Sequence, residues 1–109
     1  MTPILPFPLL PHKALEIVRS LSTRSERVFY TQHARSRMVE RGITVPCVMG
    51  CLAKGRIVEG PMLNPGGDWK VTMSWFRAGS PIQVVAALDI DQDGTFIVVV
   101  TTILRKGTP

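Results

Sequence analysis

The chain has 109 residues and a mass of 12.0 kDa, with 45% hydrophobic and 19% charged residues. It is therefore read as one domain with a single modest core, and a disordered chain is excluded. Thirteen Lys and Arg against eight Asp and Glu leave a net charge of +5, which suits an anionic partner such as a nucleic acid or an acidic protein.

Residues 1–11 read as a proline-rich arm, and residues 12–109 as a single α+β domain. Pro11 suits the first turn of a helix reaching Leu21, with Ala14, Leu15, Val18 and Leu21 on one apolar face. A polar break at residues 22–25 precedes a short strand, Arg27 to Tyr30. Thr31 caps a second helix, which Gly42 ends. Thr44 caps a third helix that runs to Lys54, with Gly55 as its stop. Arg56 to Gly60 then reads as a strand and Pro61 to Gly67 as a loop.

Asp68 to Arg77 alternates, with Trp69, Val71, Met73 and Trp75 on one face and Lys70, Thr72 and Ser74 on the other. A hairpin turn at residues 78–80 leads to a strand over Ile82 to Ile90. A second turn at Asp93-Gly94 leads to the last strand, Phe96 to Leu104. These final two strands are apolar on both faces, which predicts a central position under helices. Short turns predict antiparallel pairing. The expected fold is α+β, with helices packed on one face of a twisted antiparallel β-sheet of about four strands.

The densest chemical signal is Tyr30 to Ile43. His33, Arg37 and Arg41 follow one another at four-residue intervals, so on a helix they fall within roughly 80° of arc, with Glu40 on the same side. The stretch begins as a strand, continues through His33-Ala34 to Arg37-Met38 and ends in the turn Arg41-Gly42-Ile43. In this it resembles the bacterial domain-of-unknown-function family 4258, over Val28 to about Ile103. That family is similar to the RelE-type and BrnT-type ribonuclease toxins. The resemblance implies a RelE-like fold and a metal-independent endoribonuclease toxin acting on mRNA, free or ribosome-bound, and held in check by an antitoxin protein. The alternative is a non-catalytic module of the same fold that binds RNA or a protein.

Such a ribonuclease drives the RNA 2′-hydroxyl onto its own phosphate, which needs a base, an acid and cations around the phosphorane. His33 is the candidate base or acid, because an imidazole titrates near neutrality. Arg37 supplies a forked donor for the phosphate, and Lys70 assists from the sheet. Tyr30, Arg41 and Arg77 are candidate RNA contacts. The architectural rivals are equally concrete. His33 can fix the strand–helix junction, and Arg37 with Glu40 can form a surface i,i+3 pair.

Other signals read as structure. Asp89 to Gly94 matches half of a calcium loop, but the position for the bidentate glutamate is Val100, so a hairpin turn is preferred. Cys47 and Cys51 lack the spacing and companions of a metal site and read as buried small side chains. No metal or cofactor is expected. The two cysteines are too few for a disulfide framework, and no stretch reaches transmembrane length. The prolines in the apolar start argue against a signal peptide. A cytoplasmic protein without a membrane partner is expected. The run Thr44 to Ala53 carries no charge, so its helix needs cover from the arm, an antitoxin or a second copy in a homo-oligomer.

Overall fold

The computed structural model describes residues 5–77 and 80–104, with only the backbone of Arg77 and Ser80. The first helix, α1, is Pro11–Leu21. Leu10 is extended before it, and Pro11 takes the first-turn position, where a missing N–H costs nothing. Ala14, Val18 and Leu21 recur on one face and are buried. A 3-10 turn, Ser25–Arg27, leads into β1, Val28–Tyr30. Then come α2, Gln32–Arg41, and α3, Val45–Lys54. The strands β2, Arg56–Leu63, β3, Trp69–Arg77, β4, Ser80–Asp91, and β5, Gly94–Leu104, complete the order.

The sheet has five strands in the order β1-β5-β4-β3-β2. The pairs β2/β3, β3/β4 and β4/β5 are antiparallel, as the short turns predict. β1 instead pairs parallel with β5, with Val28 opposite Ile97 and Tyr30 opposite Val99. The sheet is therefore mixed, and the α+β class holds. β1 and β5 are far apart in sequence, so no hairpin constrains their direction.

β2 also runs further than its sequence suggests. It continues through Pro61 to Leu63, with register shifts on either side of Glu59. Gly60 sits at φ +89°, where a Cβ would meet the Lys70 carbonyl oxygen at 2.5 Å, so glycine is required there. The outer strand of a sheet tolerates a proline because one side of it needs no ladder bond. The expected loop shrinks to Asn64–Asp68, closed by the Asn64 N–H on the Asp68 carbonyl at 2.8 Å. Most of the hairpin turn expected at residues 78–80 lies outside the described residues.

One face of the sheet carries the core. Val71 faces Ala86, which faces Val99, and Met73 faces Val84 in the next row. All five are fully buried, in one cluster with Val18 of α1, Ala34 of α2 and Val48 and Leu52 of α3. Burying each large aliphatic side chain contributes about 1.5–3 kcal/mol. Leu9 joins the cluster, and the Phe7 ring lies 5.9 Å from that of Trp69, so this part of the arm packs on its own domain. α1 packs beside α3, and the Arg19 guanidinium donates to the carbonyls of Leu52 and Gly55 at the end of α3. This supplies part of the cover that the uncharged α3 requires.

The other face carries Phe29, Val85, Val98 and Phe96, which are absent from the core cluster. Phe29 is 47% exposed. β4 and β5 are central as expected, but the helices cover them on one side only. All three described helices precede β2, and hairpins alone follow it, so no crossover helix is available for the second face.

Candidate nucleic-acid interface

α2 is built from its ends. Thr31 is extended, at φ −71° and ψ 161°, and its side-chain oxygen accepts the Ala34 N–H at 3.0 Å. The same hydroxyl donates to the Val100 carbonyl at 3.0 Å, fastening the β1–α2 junction to β5. Gly42 closes the helix in the left-handed region at φ 65°. Ala34 and Met38 are the buried residues of α2, and the rest of the helix is polar or exposed.

The stripe predicted on α2 separates into three kinds of residue. Arg37 donates to Glu40 at 2.7 Å, the surface i,i+3 pair. Arg41 turns inward and donates to the Thr102 carbonyl oxygen at 2.7 Å, tying α2 to β5. His33 is exposed, and its side chain has no partner among the described residues. Of the three, only the imidazole is uncommitted.

Lys70 is not brought to α2. It lies between the buried Trp69 and Val71, so strand alternation sends it to the face without helices, opposite Ala87 and Met62. α2 packs on β5, two strands from β3 and on the other face. His33 and Lys70 therefore cannot share one phosphate. The Arg77 side chain lies outside the described residues.

The uncovered face has a character of its own. Arg56 pairs with Ser74, and Lys70 lies along the same face. Phe76, 69% exposed, stands at one end and the Phe29–Phe96 pair at the other, with ring centroids 5.8 Å apart and planes at 85°. The Arg27 guanidinium lies 5.6 Å from the Phe96 ring, and donates to Asp91 at 2.8 Å and to the carbonyls of Thr95 and Gly94. Its hydrogen bond holds the Asp91 carboxyl below the usual carboxylate range. Glu59 and Asp89 add two carboxylates to the face, one on the outer strand β2 and one toward the end of β4. The face thus combines cations, carboxylates and exposed aromatics on a broad apolar floor.

Tyr30 occupies a different place. It borders a recess of about 380 Å³ together with Arg35, Met38, Val39, Ile43, Thr44 and Val45. Its ring lies under the Arg35 guanidinium, 5.6 Å away, and burial raises its pKa while Arg35 opposes the rise. Sequence reasoning missed Arg35 altogether. On the helical wheel Arg35 and Val39 lie roughly 200° and 240° from His33, and their i,i+4 spacing beside Tyr30 was the available signal.

Among the described residues, no group of three or more His, Cys, Asp or Glu side chains is placed to hold a metal ion. Cys51 is buried in the core, and that burial pushes its thiol up to about 12. No described helix is long and apolar enough to cross a membrane.

These features define a small α+β protein with a mixed sheet, helices on one face and the other face open. The chain belongs to the family described as Domain of unknown function (DUF4258), whose model matches residues 30–105. The match begins at Tyr30, so α1, which covers α3, lies outside it. No curated protein and no solved structure matches the chain significantly.

Proposed function

We propose that this protein binds single-stranded RNA across the uncovered face of its sheet. Lys70 and Arg56 take phosphates, and Phe29 and Phe76 offer rings for base stacking. The observation that supports this reading is the coincidence of cations and exposed aromatics on one face, in a chain of net charge +5. A protein partner is the less favoured occupant, because lysine is depleted in protein–protein interfaces and Lys70 lies on this surface.

The second reading is the metal-independent endoribonuclease toxin of a toxin–antitoxin pair. The uncommitted imidazole of His33 supports it, exposed at the start of α2 beside Arg37. In that case RNA reaches the helical side, His33 moves the proton and Lys70 plays no part in the chemistry. An antitoxin would then be the protein partner.

One pair of measurements separates the readings. Anisotropy of a labelled RNA oligonucleotide is followed with the parent and with Lys70→Ala/Arg56→Ala. The double variant is expected to bind more weakly, with the salt slope reduced by about 0.7 for each lost phosphate contact. Unchanged affinity and slope overturn the sheet-face reading. Incubation of RNA with parent and His33→Ala protein in the presence of a chelator decides whether cleavage occurs and whether His33 carries it.

A further inference from the structure

The recess on the outer flank of α2 is separate from the open sheet face and from the His33 side of the helix. At about 380 Å³ it falls within the size range of small-molecule pockets. Met38, Val39, Ile43 and Val45 supply apolar walls, and Tyr30, Arg35 and Thr44 complete the lining. Thr44 is already engaged, because its hydroxyl oxygen caps the Cys47 N–H.

The Tyr30 hydroxyl is shielded from solvent, so a ligand in the recess meets the Tyr30 residue away from its phenol oxygen. The Arg35 guanidinium lies against the Tyr30 ring, with no acidic side chain or carbonyl paired to it among the described residues. Arg35 can only donate, so its complement is a negatively charged acceptor. The walls around it require that the rest of the ligand be apolar.

We infer that this recess binds a small amphipathic carboxylate. The carboxylate accepts from the Arg35 fork, and an aliphatic or aryl body lies along Met38, Val39, Ile43 and Val45. One guanidinium neutralises the single charge of a carboxylate. A phosphate monoester brings nearly two charges, and burying the excess beside apolar walls is unfavourable. The site is independent of RNA binding by the sheet.

The test is an NMR titration of the full chain with phenylacetate and with hexanoate, using phenylacetamide and inorganic phosphate as controls. Saturable shifts are expected at the Arg35 side chain and at the methyl groups of Val39 and Val45, with the amide at least tenfold weaker than the acid. Arg35→Gln should weaken the acid about tenfold, the scale of one hydrogen bond to a charged group, with a backbone spectrum that reports an intact fold. Tyr30→Phe keeps the ring and removes only the shielded oxygen, so it should bind the acid like the parent. The assignment is overturned if amide or phosphate binds as tightly as the acid, or if Arg35→Gln binds the acid like the parent. Absence of a saturable shift up to about 10 mM overturns it too.

Discussion

The Arg41 guanidinium donates to the Thr102 carbonyl oxygen at 2.7 Å, so a residue expected to grip RNA holds α2 to the central strand β5. Its neighbour on the stripe, Arg37, makes an exposed pair with Glu40. Arg41→Ala should therefore lower stability by about 1–3 kcal/mol, because it orphans a carbonyl at the helix–sheet contact. Arg37→Ala should cost at most about 1 kcal/mol. Urea denaturation of the two variants checks the contrast, and equal losses would remove the distinction between clamp and surface pair.

If the protein cleaves RNA, His33→Ala should reduce the rate by about 10²- to 10⁴-fold, the usual cost of a proton-transfer group. Binding through the sheet should survive, since His33 is on the helical side. Stability should also survive, because the imidazole has no partner among the described residues to lose. Single-turnover cleavage and anisotropy on the same samples give both values. A folded variant that cleaves at the parent rate excludes His33 from the chemistry.

Tyr30 is the one tyrosine in the chain, so its titration is directly visible in absorbance. Burial raises its pKa above the ordinary 10.0, against the opposing charge of Arg35. The folded protein then holds the phenol proton where the unfolded chain has already released it. Stability from this source is complete below about pH 10 and is lost as pH rises through the folded-state value. Tyrosinate absorbance should have a higher midpoint in buffer than in denaturant. Coincident midpoints would contradict the buried placement.

Gly55 closes α3 against β3. A Cβ there would meet the backbone oxygens of Cys51 at 2.5 Å and Ser74 at 2.6 Å, and neither atom can move without shifting a helix end or a strand. Gly55→Ala should destabilise by about 3 kcal/mol, at the upper end of overpacking effects. The loss is expected even though its φ of −73° is open to any residue. A melting temperature equal to the parent's would show that α3 can slide away from β3.

Much of the local structure was legible because it follows short-range rules. Thr31 and Thr44 cap their helices, Gly42 ends one in the left-handed region, and Ala14, Val18 and Leu21 mark the buried face of α1. Alternation along β3 identified the buried row Trp69, Val71 and Met73, and the same alternation assigned Lys70 to the opposite face. Grouping Lys70 with His33 overlooked that consequence: a helix covering the Trp69 side cannot share a site with the far side.

The sequence by itself determined the element types, the helix ends, the α+β class and the excess of positive charge, since each depends on residues close together in the chain. Only the tertiary structure decided that β1 lies parallel to β5, that Arg41 meets Thr102 and that Arg35 overhangs Tyr30 beside an apolar recess. It also decided that the apolar second face of β4 and β5 stays without a helix among the described residues. Those contacts join residues that the packing of helices on the sheet brings together. An arginine presents the same donors to a carbonyl oxygen as to a phosphate, and only its surroundings decide which it meets.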